Sequence, residues 1–306
     1  MSNVDMRVTL AGMTMKNPVV VASGTFGFGR EYSQFFDLSE LGGICAKGLT
    51  LLPREGNPAP RIAETPMGIL NSVGLQNPGV DAFIAEELPF LRQYDVKVIA
   101  NISGNTPEEY GVMCEKLAGA GVDMIEVNIS CPNVKAGGLA YGTQPELAAE
   151  VTEMAKSHAG SVPVMVKLSP NVTDVTEIAR AVEAAGADTV SLINTIRGMR
   201  IDVNTRRPVL KMNTGGLSGP AVLPVAVRMV WEVSQAVRVP VLGMGGVSKG
   251  EDAAQLMLAG ASAVAVGTAL FADPYAPIKV RDGLEAIAAR QGLSAVRELT
   301  GAVRPW

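Results

Sequence analysis

Short apolar runs rich in β-branched residues recur eight times along the chain, each followed by a longer stretch with helical spacing, and few architectures accept that alternation from end to end. The runs fall at 18–22, 43–47, 97–102, 123–128, 164–168, 189–193, 241–244 and 263–267. Helical patterns occupy 31–40, 80–93, 107–118, 145–158, 175–185, 221–236, 250–258 and 275–290. Two of these open on a polar cap before proline, at Asn105-Thr106-Pro107 and Thr143-Gln144-Pro145. Strands this apolar are covered on both faces, as in a parallel sheet wrapped by helices. An internal echo supports that reading. Ala120-Gly121-Val122-Asp123, Ala185-Gly186-Ala187-Asp188 and Ala259-Gly260-Ala261-Ser262 each close a helix and open a strand, with glycine at the left-handed position after the helix. The echo also suits an open, doubly wound sheet. The strand count and the lack of a long Gly/Pro/Ser linker favour one closed α/β barrel of the (β/α)8 type, a TIM barrel spanning 1–306 as a single domain.

Composition removes whole classes of function. Apolar residues make up 47% of the 306 positions and charged residues 18%, below a norm of about 25%, so a sizeable core is expected and disorder is not. The net charge is -4 and no Lys/Arg cluster appears, so nucleic acid is not an expected partner. Cys45, Cys114 and Cys131 stand singly, without Cys-x-x-Cys spacing, which excludes a disulfide framework or an iron–sulfur site and suits reduced thiols in the cytoplasm. The first 17 residues carry Asp5, Arg7 and Lys16, so neither signal peptide nor membrane anchor is expected there. The uncharged run 253–272 is interrupted by Gly260 and Gly267 and reads as a helix end followed by a buried strand.

The ends of the eight runs carry the chemistry. They are Ser23-Gly24, Lys47-Gly48, Asn101, Asn128, Lys167, Asn194-Thr195, Gly245-Gly246 and Gly267-Thr268. In a parallel barrel these positions converge on one mouth, where two ammonium groups and several carboxamides need an anionic, amide-rich ligand to satisfy them. The glycine pairs after the seventh and eighth strands suit a phosphate cradle. Three connections, 48–78, 130–143 and 197–219, are too long for turns and would wall or cover that mouth. The stretch 24–29 is also Gly-rich, but nothing around it supports a dinucleotide fold, and it reads as a loop lying against a flat ligand.

A general base comes from a short list. His158, the single histidine, ends a helix at the opposite face and reads as a surface residue. Cys45 and Cys114 fall inside a strand and a helix and read as inert, whereas Cys131 lies in a loop at the mouth, near cations that lower a thiol's pKa. Lys47 or Lys167 could instead form a Schiff base in a flavin-free aldolase. Glu126 shares a strand face with Asn128 and is expected to pair structurally with an interior lysine.

Taken jointly, Asn17-Pro18-Val19, Ala46-Lys47-Gly48-Leu49-Thr50, Asn71-Ser72-Val73-Gly74-Leu75-Gln76-Asn77-Pro78-Gly79, Asn128-Ile129-Ser130-Cys131-Pro132-Asn133, Val166-Lys167-Leu168-Ser169-Pro170 and Gly243-Met244-Gly245-Gly246-Val247 resemble the dihydroorotate dehydrogenase family. The resemblance runs from the first strand to the last helix. It implies an FMN-containing barrel that oxidises dihydroorotate to orotate in pyrimidine biosynthesis, with Cys131 taking the C5 proton as hydride leaves C6 for the flavin. Carried over by position, Ser23, Lys47, Gly48, Asn101, Asn128, Lys167, Ile193, Gly219, Gly245, Gly246, Gly267 and Thr268 would line FMN. Lys47, Asn71, Ser72, Val73, Gly74, Leu75, Asn128, Asn133, Asn194 and Thr195 would hold the substrate, Lys47 also counting as catalytic. Cysteine as base and the absence of an N-terminal extension resemble the soluble class. Gly137-Gly138-Leu139-Ala140-Tyr141-Gly142 resembles its NAD-linked type, in which a homodimer core joins a partner subunit carrying FAD and a 2Fe-2S cluster, giving a heterotetramer. A fumarate-reducing homodimer and a flavin barrel acting on another pyrimidine are the rival redox readings.

Overall fold

The computed structural model of the chain describes residues 4–130 and 141–306. Eight parallel strands close into a barrel: β1 (Val19–Val21), β2 (Gly43–Cys45), β3 (Lys97–Ile102), β4 (Met124–Asn128), β5 (Val164–Lys167), β6 (Thr189–Leu192), β7 (Val241–Met244) and β8 (Ala263–Val266). They pair in sequence order, β8 closing on β1 through Val264↔Val19, Ala265↔Val20 and Val266↔Val21. The expected closed α/β barrel is therefore the observed one, and each predicted strand falls within two residues of its position. Every residue of β1 through β8 is buried except Lys97, since the inward side chains fill the barrel and the outward ones meet the surrounding helices.

The helices follow the predicted pattern with instructive departures. Pro107–Ala120, Pro145–His158, Val175–Ala184, Gly250–Leu258 and Ala276–Arg290 match within two residues. The 31–40 segment is instead two short 3-10 turns, Tyr32–Gln34 and Leu38–Glu40. Asp37 divides them, because its side chain accepts from the Ser39 N–H at 2.8 Å and so caps a new turn. The 80–93 segment holds a π turn at Phe83–Glu87 before Leu88–Leu91, where Pro89 has no N–H to donate into a regular ladder. Leu223–Ala236 begins two residues late, after a 3-10 turn at Pro220–Val222.

Two additions close the barrel ends. A hairpin, Val8–Leu10 with Met13–Met15, buries Val8, Leu10, Met13 and Met15 at the bottom, where Gly43 leaves room for the Met15 sulfur. Over the mouth, the long connections after β2 and β6 pair with each other. They form an antiparallel sheet in the order Ile196–Gly198, Gly215–Ser218, Gly68–Asn71, Ile62–Thr65. Gly216 is required there, since a Cβ would lie 1.9 Å from Thr195 Oγ1.

At the bottom face, acidic side chains hold the strand starts. Asp123 accepts from the Val98 N–H at 2.9 Å and pairs with Arg92 at 2.6 Å and Lys97 at 3.1 Å; Asp188 accepts from the Val164 N–H at 2.7 Å. Burial alone would push the Asp123 carboxyl up, but the Val98 N–H and the Arg92 guanidinium outweigh it and hold it below its ordinary value. A depressed carboxyl stabilises the fold fully above its unfolded pKa, about 3.9, and progressively less as pH falls below that. Asp123→Ala should therefore destabilise the protein by roughly 1–3 kcal/mol near pH 7. The gap between variant and wild type in thermal melts should close on acidification; an undiminished gap at pH 3 would contradict this account.

Candidate active site

The site grows from the inward face of the barrel. Cys45 of β2, Glu126 of β4, Ser191 of β6 and Ala265 of β8 form one layer from alternate strands. Glu126 is fully buried, and its carboxylate organises that layer. Oε1 accepts from Ser191 Oγ at 2.7 Å; Oε2 accepts from Cys45 Sγ at 3.1 Å and from Asn101 Nδ2. Lys167 Nζ stands 3.8 Å from the same oxygen, so the expected structural pairing of Glu126 with an interior lysine is present.

Above this layer a cavity of about 1270 Å³, the open solvent at its entrance included, occupies the C-terminal mouth. Its lining includes Ser23, Lys47, Gly48, Asn101, Asn128, Lys167, Ile193, Gly219, Gly245, Gly246, Gly267 and Thr268. Asn71, Val73, Gly74, Leu75, Asn194 and Thr195 line it as well. Ser72 does not. In an extended segment neighbours face opposite ways, so Asn71 and Val73 turn toward the cavity while Ser72 is buried behind them. Its backbone is held there by Arg61 O, at 2.8 Å from its N–H, and by Asn57 Nδ2, which donates to its carbonyl at 2.9 Å. Cys131 and Asn133, and the 137–140 part of the type-specific segment, lie outside the described residues.

The amides at the mouth are fixed by one another. Asn128 Oδ1 accepts from Ser130 Oγ at 2.9 Å, and Asn194 Nδ2 donates to that Ser130 oxygen at 2.7 Å. Tyr110 Oη donates to Asn128 O at 3.0 Å and so anchors the end of β4. Asn77 pins the connection after β2 by accepting from Thr50 N–H and Gly79 N–H while donating to Thr50 Oγ1 and Leu75 O. Leu75 adopts φ 56°, a left-handed conformation that costs a non-glycine residue and is held by this bracing.

The remaining base candidates separate by environment. Burial first, and then the charge of Glu126, raise the Cys45 thiol well above its ordinary value. Burial pushes Cys114 up to about 12, so neither thiol ionises near neutrality. His158 is exposed at the end of Pro145–His158, its Nδ1 2.9 Å from Met154 O, on the face opposite the mouth as expected.

Do these residues fit FMN? The Asn101 carboxamide answers for the ring. The carboxylate of Glu126 can only accept, so the amide nitrogen must face it; Oδ1 then points the other way, buried and without a partner. A Cβ on Gly48 would sit 2.8 Å from that oxygen, so glycine keeps it open to an N–H brought by a ligand. For the phosphate end, Gly219, Gly245 and Gly246 have φ of 108°, 127° and 78°. A Cβ on Gly246 would meet Leu223 N at 2.8 Å and Gly219 O at 3.0 Å, so the backbone is bare where an oxyanion would need close approach. Ile62, Ile69, Met244 and Phe271 add an apolar wall that the sequence reading did not identify. The donor set fits a flat, amide-bearing ring carrying a phosphate.

The dihydroorotate dehydrogenase family model matches residues 5–288. The chain belongs to the dihydroorotate dehydrogenase family. It is 53% identical over 299 residues to the dihydroorotate dehydrogenase B (NAD(+)) catalytic subunit of Caldicellulosiruptor bescii, covering 98% of this chain and 99% of that one. The subunit of the same name from Geotalea daltonii is 55% identical over 305 residues, covering 99% and 100%. In fold, the crystal structure of DHODH in complex with ferulenol from Eimeria tenella superposes with a TM-score of 0.83 at 22% identity, over 97% of this chain and 88% of that one. Members of this family are oxidoreductases and generally use FMN. Gly48→Ala, which places a methyl 2.8 Å from Asn101 Oδ1, forces that buried amide to shift against its tie to Glu126 and should lower the melting temperature modestly. It should weaken FMN binding tenfold or more, about 1.4 kcal/mol, in a fluorescence titration of apoprotein. Unchanged FMN affinity would remove the Asn101 acceptor from the site.

Proposed function

We propose that this chain is the catalytic subunit of an NAD-linked dihydroorotate dehydrogenase, holding FMN and dihydroorotate together in the mouth cavity. The observation that carries the reading is the convergence there of Lys47, Lys167 and the carboxamides of Asn71, Asn101, Asn128 and Asn194, above a backbone cradle at Gly245-Gly246. When bound, FMN supplies a two-electron acceptor. This chain supplies the groups that bind and orient the substrate and move its proton. The Lys47 ammonium meets the substrate carboxylate, and carboxamides offer paired donors and acceptors to the pyrimidine edge. Lys167 balances negative charge on the ring. The mouth sheet, through Ile62, Ile69 and Asn71, excludes water from the reacting atoms.

Cys131 takes the C5 proton. The support is by exclusion and by sequence: the described thiols, Cys45 and Cys114, are held protonated, and Ser130, which directly precedes Cys131, is bonded to Asn128 and Asn194 at the mouth. In the NAD-linked type that the sequence resembles, FAD and a 2Fe-2S centre sit on a partner subunit that passes electrons to NAD, and the three cysteines of this chain are too few to ligate a four-thiolate cluster themselves. The relatives are named catalytic subunits, consistent with a homodimer core inside a heterotetramer. Among the described residues no helix is long and apolar enough to cross a membrane, and the cytoplasm is the proposed location.

Purified protein should be yellow and should bleach anaerobically on addition of dihydroorotate. Cys131→Ala should keep the flavin and lose about 10²–10⁴-fold in turnover, the usual span of general base catalysis. Cys131→Ser should recover activity only as pH rises, because a hydroxyl is the weaker acid. Turnover unchanged in both variants would exclude the thiol from the reaction, and colourless wild-type protein that takes up no FMN would exclude the assignment.

A further inference from the structure

Glu126 neither lines the cavity nor reaches the reacting atoms assigned above, yet two of its four partners do. Asn101 and Lys167 stand between its carboxylate and the cavity, while Ser191 and Cys45 close it from other strands. A carboxylate has no proton to donate, and this fixes Asn101 in one of its two orientations. Nδ2 must face Glu126, and Oδ1 is left as a buried acceptor toward Gly48 with no donor among the described residues. A neutral amide at position 126 would serve either orientation, and the acceptor would no longer be unique. The same carboxylate is the counter-charge of Lys167, which lines the cavity while only 6% exposed. In so enclosed a place the positive potential that Lys167 presents to a ligand depends on whether that counter-charge is present.

We propose that Glu126 is a positioning residue for the FMN ring: from behind the cavity wall it holds Asn101 as an acceptor and sets the net charge that Lys167 presents. It thereby tunes the relative affinity for oxidised and reduced FMN. This rests on the reading of the cavity as the FMN site. Reduced FMN carries more negative charge than oxidised FMN near neutral pH, so loss of the carboxylate favours the reduced form.

The test uses holoenzyme and apoprotein of Glu126→Gln, with oxidised FMN affinity from titration and midpoint potential from an anaerobic dye-equilibrated titration. The ratio of reduced to oxidised affinity should rise at least tenfold, about 30 mV for a two-electron couple, and oxidised FMN should bind severalfold more weakly. Glu126→Asp, which keeps the charge, should hold the ratio within threefold of wild type. Glu126→Gln with Lys167→Met removes both charges, so no unpaired ion is buried and the protein should fold even where the single variant does not. Because Lys167 lines the cavity and Glu126 stands behind it, the lost positive charge acts on the ligand more strongly than the lost negative one, and the ratio should fall below that of wild type. A purely structural role would lower thermal stability and leave the ratio alone. Ratios within twofold of wild type in both the single and the double variants would overturn the proposal while leaving the site assignment intact. Wild-type apoprotein that takes up no FMN would overturn both.

Discussion

A carboxylate with no exposure to solvent stands in the middle of the barrel, and the arrangement of the site follows from the need to satisfy it. An uncompensated charge in so enclosed a place would cost several kcal/mol, which is why Glu126 is met from four other strands: Cys45 from β2, Asn101 from β3, Lys167 from β5 and Ser191 from β6. Each of those partners is thereby constrained in turn. Cys45 is reduced to a hydrogen-bond donor, Asn101 is oriented, and Lys167 is tethered at the cavity edge. A barrel interior of aliphatic side chains alone would pack as well but would present nothing polar at its upper end.

The fold then decides where that polarity is spent. In a closed parallel barrel all strands finish at one face, so residues as distant in sequence as Ser23, Asn128 and Thr268 reach one cavity. The opposite face serves stability, with Asp123 and Asp188 capping strand starts and the Val8–Met15 hairpin plugging the bottom. The two faces use acids differently. At the bottom they are partly exposed and paired with Arg or Lys at 2.5–3.1 Å; in the interior the single carboxylate is shared among neutral donors with its lysine 3.8 Å away.

What could be read from sequence divides along the same physical line. The barrel strands were legible because full burial on both faces writes them as unbroken apolar runs, and the mouth residues were legible because polar or glycine positions end those runs. The mouth sheet was not. Its strands are three or four residues long, three of the four carry glycine, and the pairing that joins the two connections spans a great sequence distance, as Gly216 with Asn71. Their period-2 pattern, Ile62 and Ile69 included, is too short to separate from loop, and so the apolar wall they share with Phe271 was missed. Ser72 shows a finer limit. A motif names neighbours together, but backbone alternation sends Asn71 and Val73 into the cavity and Ser72 away from it. The 80–93 helix was legible in extent, whereas the π turn forced around Pro89 was not.

The same carboxylate explains why proton removal is assigned to a loop and not to the barrel. Cys45 is a thiol already placed in the interior, close to Lys167, whose charge lowers its pKa. Burial and the negative charge of Glu126 outweigh that lysine, and the thiol stays protonated. Any thiol in that layer would suffer the same fate, because the layer exists to neutralise a negative charge and resists adding a second. A base that must lose its proton near neutrality has to stand where cations and amide donors outnumber carboxylates. The mouth, with Lys47, Lys167 and the asparagines, supplies that balance, and the one cysteine that the sequence puts in a mouth connection is Cys131.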